Sequence, residues 1–359
     1  MAPALPQGHG HGFPSAELIH GLQPRLDWLD PAEHREIVRR VAASYRAAKA
    51  DQQRADSAYL PCGARAEFVD DNQEFFAALL AQDHALAESS LRRFLRSELG
   101  VFCKEYATFD QLVSRTSPYL DRFETQVRRN FAAWSSLFEM DDRVLEVPDV
   151  GEPWGLMIEG RLITPKAMRF HATSQQIGEL VRGTARPVVA EIDAAGGGQA
   201  YFVLRDYPQV KYLQFDLPET MVLSQYFLLA ACPDREITLY GESRENLSSI
   251  LIESDVVLYP NHAVEQLAER SVDVWLNSLS FGEASYANLA AYCDAIQQSL
   301  KRYLLLCNSD RAKLTRHGFE RTPLSRYPLR HDEMRCLSRR FDLFLGAQSD
   351  LREVLYERV

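Results

Sequence analysis

Two acids stand near the ends of apolar runs. Glu191 falls in Val188-Val189-Ala190-Glu191-Ile192, and Asp216 closes Tyr212-Leu213-Gln214-Phe215-Asp216, 25 residues further on. Between them, Asp193-Ala194-Ala195-Gly196-Gly197-Gly198 is a run of small residues ahead of a helical pattern. The β-branched and aromatic content of both runs predicts strands. A small-residue loop lets a ligand approach the backbone closely, and the helix that follows offers unpaired N–H groups at its start. An acid at the end of the next strand is placed to accept a pair of ribose hydroxyls. Each feature alone is a weak signal, but two acids at consecutive strand ends flanking such a loop point to a nucleoside-bearing ligand.

For these residues to meet, strands and helices must alternate, and from residue 166 they do. The pattern predicts a helix over 166–183, a strand at Val188–Ile192, a helix after Gly197, a strand at Tyr212–Phe215 and a helix at Glu219–Ala231. Strands follow at Val256–Tyr259, Val272–Leu276 and Tyr303–Leu306, with a helix at Tyr286–Leu300. This is an α/β, Rossmann-like order: a mostly parallel sheet with helices on both faces. Residues 24–146 read differently, as an all-α segment poor in glycine and rich in aromatics such as Phe68, Phe75, Phe76, Phe94 and Trp134. Three prolines and three glycines over 147–165 mark a turn, a short hairpin and a linker. The expected organisation is a flexible tail over 1–23, a helical cap over 24–146 and the α/β domain over 147–359.

The 359-residue chain can bury a large core, and its net charge of -10 repels phosphate backbones, so nucleic acid is not an expected partner. Six scattered cysteines without close pairs fit a reducing compartment. No apolar run approaches the roughly 20 residues that span a bilayer, and the first residues lack the basic and apolar regions of a secretory leader. A cytoplasmic protein with a small-molecule substrate, no membrane contact and a possible homodimeric assembly is expected. No His, Asp and Glu cluster has the compact spacing of a metal site, so no metal is predicted. His9-Gly10-His11-Gly12 reads as part of a mobile end. His262, just past a predicted strand end, is a candidate base for a hydroxyl, and His171 is a weaker one.

Residues 145 to 310 resemble the sugar O-methyltransferases of the class I S-adenosylmethionine-dependent methyltransferase fold. The resemblance rests on Val150-Gly151-Glu152-Pro153, Glu191 with Gly197-Gly198, Asp216-Leu217-Pro218-Glu219-Thr220, and Asn277-Ser278-Leu279-Ser280-Phe281-Gly282-Glu283. It implies S-adenosylmethionine as cofactor. Glu191, Asp193, Gly196 and Gly197 would hold its methionine end, and Asp216 with Leu217 its ribose. Asn277 would contribute to the same site, with Ser278 and Glu283 facing the reacting centre. Trp154 is a candidate to stack on the sulfonium, although plugging a seam between domains is its more ordinary role.

The chain departs from the family at Asp193 and Ala195, where glycines are usual. A carboxylate at 193 would lie beside the cofactor's α-amino group, either capping the following helix or serving as a base. The second role suits azetidine-2-carboxylate synthases, which are similar to this family. There the deprotonated amine displaces its own sulfonium and releases methylthioadenosine, in a site that must exclude water. Three readings follow: this cyclisation with Asp193 as base, methyl transfer to a small hydroxyl, and a catalytically silent binding protein.

Overall fold

The computed structural model describes residues 15–25, 29–103, 109–113, 119–318, 320–344 and 350–359. The His9–Gly12 run lies outside them. Within the expected tail, Ser15 caps a helix α1 (Ala16–Gly21) and Leu18 is fully buried, so this part of it is packed. Further helices are α2 (Pro31–Gln52), α3 (Ala64–Asp71), α4 (Gln73–Ala81), α5 (His84–Arg92), α6 (Phe109–Val113) and α7 (Tyr119–Phe138). α2 shows why they form: Asp30 accepts from the Ala32 N–H, Pro31 occupies the first turn, and Ile37, Val38, Val41, Tyr45 and Ala48 share one buried face.

The hairpin expected in 147–165 is present as β1 (Leu156–Ile158) and β2 (Arg161–Ile163), followed by α8 (Ala167–Leu180). The large sheet holds β3 (Val188–Ile192), β4 (Lys211–Asp216), β5 (Ile237–Leu239), β6 (Val256–Pro260), β7 (Val272–Ser278), β8 (Leu300–Ser309), β11 (Met334–Phe341) and β12 (Leu351–Arg358). A small ribbon, β9 (Lys313–Leu314) with β10 (Glu320–Arg321), stands apart. Helices α9 (Gly198–Asp206), α10 (Pro218–Ala231), α11 (Leu247–Glu253) and α12 (Tyr286–Ser299) connect the strands. The order is β11-β12-β8-β7-β3-β4-β6-β5, with every neighbouring pair parallel except those of β12. From β3 the chain runs outward to β4 and on to β5 at the edge, steps back to β6 between them, and then returns to β7 on the other side of β3. β3 is therefore the switch point, where a crevice opens beyond the strand ends.

One core lies on each face of the sheet. On one, Val189, Tyr212 and Leu276 pack with α9 and α10 and also with Ile37, Val41, Phe76, Leu91 and Phe94 of the N-terminal half. α10 is buried along nearly its whole length because α2 covers the side turned away from the sheet. The other face packs Ile192, Phe215 and Trp275 against α11 and α12. Among the described residues no helix is long and apolar enough to cross a membrane.

Candidate functional site

The loop between β3 and α9 keeps a glycine-type backbone without the glycines. Asp193 has φ 61°, Ala195 φ 59° and Gly197 φ 74°, a left-handed alternation that L side chains adopt only at a cost. Three contacts hold it there. The Asp193 N–H donates to the Phe215 carbonyl at 2.8 Å, and the Ala195 N–H donates to Asp216 Oδ2 at 2.8 Å. Asn277 Nδ2 donates to the Ile192 carbonyl at 2.9 Å and to Ser280 Oγ at 2.6 Å. Gly196 and Gly198 are tied to their type by space, since a Cβ would stand 2.6 Å from Cys103 Sγ in one case and 2.5 Å from the Phe170 ring in the other. The backbone is thus left-handed at two non-glycine positions, one of which carries a carboxylate.

A cavity of about 400 Å³ opens over this loop, a size in the ordinary range for small-molecule sites. Glu191, Asp193 and Asp216 reach it from the strand tips, and Arg65, Lys166 and Arg169 from the surrounding helices, while Phe94, Trp154, Phe170, Tyr201 and Phe202 supply its aromatic wall. Burial pushes Glu191 up to about 7; the Tyr212 hydroxyl, donating at 2.7 Å, opposes that rise, and Asp216 adds to it. Burial and the nearby Asp193 push Asp216 up to about 6, against Arg65 and the donors of Thr220 and Ala195. Asp193 is raised by burial and held down by Arg65, whose Nη2 lies 3.1 Å from its Oδ2.

Of the residues singled out from sequence, Glu191, Asp193, Gly196, Asp216, Trp154 and Ser278 line the cavity together. Asp216 builds the loop: besides the Ala195 N–H it accepts from the Leu217 N–H at 2.8 Å and from the Thr220 hydroxyl. Gly197 and Leu217 stand at the starts of α9 and α10, and Asn277, which holds the Ile192 carbonyl, lines a smaller adjoining cavity. Ser278 Oγ accepts from Arg169 at 3.0 Å. Trp154 wedges between Phe109 and Phe123, donates to the Leu95 carbonyl at 3.1 Å and shows one edge to the cavity. Glu283 ends a short 3-10 turn, and its side chain lies outside the described residues.

The histidines are a correction. His262 is not part of the wall; it packs edge-on against Tyr240, and burial lowers it. His171 is a core residue that accepts from Trp134 Nε1 at 3.0 Å and is pushed down to about 4 by burial. Neither lines the cavity over the β3–α9 loop. Sequence reasoning missed Arg65, Lys166 and Arg169. The one usable signal was indirect: an acid in a buried glycine position needs a cation, and nothing local to 193 supplies one.

No protein-family model matches the chain, and no curated protein matches it. Among solved structures, the mitomycin 7-O-methyltransferase MmcR is 13% identical, with 81% of this chain and 93% of that chain covered and a TM-score of 0.36. A SAM-dependent methyltransferase from Aquifex aeolicus is 11% identical, covering 54% of this chain and 94% of its own, at a TM-score of 0.33. The PH0226 protein from Pyrococcus horikoshii OT3 is 10% identical, covering 54% and 92%, at 0.38. Likenesses of this size say nothing about substrate. On its own strand order, with one antiparallel strand inserted near one edge and the short β5 at the other, the chain has the Rossmann-like methyltransferase fold.

Proposed function

We propose that the chain is an S-adenosylmethionine-dependent enzyme for small-molecule chemistry, and that its reaction is cyclisation of that molecule to azetidine-2-carboxylate. The observation that carries this reading is Glu191, a buried carboxyl at the switch-point strand tip, inside the cavity and poised at about 7. A base works best when its pKa lies near the working pH, and Glu191 is suited to take the proton of an ammonium. Asp193, expected from sequence to be that base, is also raised by burial, but its carboxylate is engaged in an ion pair with Arg65 that opposes the rise, whereas Glu191 has no cation paired with it among the described residues. We therefore assign the proton to Glu191.

S-adenosylmethionine would supply both the leaving group and the nucleophile: the N–Cγ bond forms, the Cγ–S bond breaks, and its electron pair leaves on methylthioadenosine. The chain's own residues would do the rest. Asp216 offers a carboxylate to the ribose, the start of α9 offers N–H groups, and the aromatic wall keeps out water that would compete for Cγ. A second reading, methyl transfer to a small hydroxyl, is favoured by a smaller cavity of about 60 Å³ that shares Arg169, Glu191, Gln199 and Ser278 with the first. Incubation of the pure protein with S-adenosylmethionine alone tests both. Methylthioadenosine with a four-membered imino acid is the expected result. S-adenosylhomocysteine formed only with an added hydroxyl acceptor would replace the first reading by the second, and no turnover under either condition would overturn both.

A further inference from the structure

The connection between α2 and α3, residues 53–63, lies across the strand ends as a strap with one buried anchor. Of its residues only Tyr59 is buried; the others are exposed or half-buried. Tyr59 fills a slot on the side of Asp216 turned away from β3. Its ring packs against Tyr292 of α12 with 5.8 Å between centroids, its hydroxyl donates to Glu265 at 2.8 Å, and its carbonyl accepts from Asn261 Nδ2 at 3.0 Å. Asn261, directly after β6, is fully buried. Two further ties hold the strap: Asn288 of α12 donates to the Ala58 carbonyl, and Arg65, in the first turn of α3, lies 3.1 Å from Asp193, whose side chain is fully covered. Gly63, at φ 54°, makes the bend from the plug into α3.

A nucleoside-bearing ligand needs the ground that this strap holds. With its amine at Glu191 on β3 and its ribose at Asp216 on β4, the ligand runs along the row of strand ends. A furanose carries its 5′ arm and its base on opposite sides of the ring oxygen, so the base points away from β3 and toward β6, the next strand about 4.8 Å on. The wall of the large cavity includes no residue of β6 or of Asn261–Gln266, and Tyr59 over Asn261 closes that side. We infer that residues 53–65 are a self-inhibitory strap with Tyr59 as its plug, which withdraws from the tip of β6 when an adenosyl compound enters. The inference rests on the reading that such a compound binds here, and it adds how entry is regulated. The anchors are one ring and a few polar contacts that water replaces once the strap lifts, which is the character of a segment that opens locally. The affinity measured is then the intrinsic one reduced by the fraction of molecules with the strap lifted.

Two measurements on the full chain with S-adenosylhomocysteine, an inert probe, test it. Hydrogen exchange of wild type should quicken over residues 53–65 when the probe is bound, while the β3–α9 loop slows. Unchanged or slower exchange over 53–65 in the bound protein would overturn the inference and leave the functional reading standing, and this arm needs no variant to fold. In calorimetry, Tyr59→Ala should bind the probe about tenfold more tightly or better, the gain expected where the lifted form is about a tenth or less of the wild-type population. Tyr59→Phe, which keeps the ring but loses the Glu265 bond, should gain less. Unchanged or weaker binding by a folded Tyr59→Ala protein would also overturn the inference, because cutting away a residue that lines a binding site loses affinity whereas cutting away a plug gains it. Binding to neither wild type nor Tyr59→Ala would overturn both the inference and the functional reading.

Discussion

The ends of β3 and β4 carry acids that face one cavity and are treated in opposite ways. Asp216 is saturated: two backbone N–H groups and a hydroxyl converge on it, and it braces the loop before any ligand arrives. Glu191 and Asp193 are not. One has a single tyrosine donor and the other one guanidinium nitrogen at 3.1 Å, and both are deeply buried. A saturated acid fixes shape and can meet a ligand only with a lone pair left over, whereas an unsaturated one holds charge in readiness, and the second kind marks where proton transfer belongs.

Glu191→Gln removes the proposed proton acceptor while keeping size, so methylthioadenosine formation should fall by about 10²-fold or more, the usual range for a lost general base. Wild-type rates in this variant would break the contrast by making Glu191 as structural as Asp216. Asp216→Ala should act on the fold first. It strands the Ala195 and Leu217 N–H groups, and stability to urea should drop by about 2–3 kcal/mol, with ligand binding weakened as a consequence. An Asp216→Ala protein with unaltered stability would show that the loop holds itself.

Asp193→Gly restores an unstrained residue but leaves Arg65 facing the cavity without its acid. The single change should therefore cost about 2 kcal/mol, and adding Arg65→Gln should recover much of that loss in a double-mutant cycle. Additive effects would mean that the two groups do not feel each other. A smaller effect is read from pH. The folded protein holds the Glu191 proton up to about 7, while the unfolded chain releases it in the ordinary carboxyl range, so the folded state binds more protons between those limits. Stability from this group is full below that window and is lost as pH rises through it. The melting temperature of wild type relative to Glu191→Gln should accordingly decline from about pH 5 to about pH 8. The smallest change is Ala195→Gly, which relieves a left-handed alanine and should raise stability by less than about 1 kcal/mol. A loss instead would mean that the Ala195 methyl packs usefully.

The parallel core was legible because its strands are continuous apolar runs, and β3 spans the residues that periodicity indicates. β11 was not, because it is exposed along nearly its whole length, Arg335, Arg339 and Arg340 included, and so resembles a surface loop, and β5 is only three residues long. In the site, the acids could be read from their positions at strand ends, since those depend on a local pattern. The saturation of Asp216 could not, because it depends on where Thr220 and the Ala195 N–H point after folding. Arg65 was out of reach for a stronger reason: Cys62-Gly63-Ala64-Arg65 has no motif, and its meaning lies in a partner far along the chain.

The core that α2 shares with α10 bears on how such a protein can diversify. A cap joined to its catalytic domain through a polar seam can be exchanged as a module, and its ligand range can change in one recombination event. Here α10 would lose the cover over its outward side if the N-terminal helices were replaced, and a grafted cap would have to match Tyr45, Phe76 and Leu91 as well as the cavity. New ligand preferences in this architecture should thus arise by substitution at single positions of the cavity wall, with shuffled chimeras failing at folding before they are tested for binding.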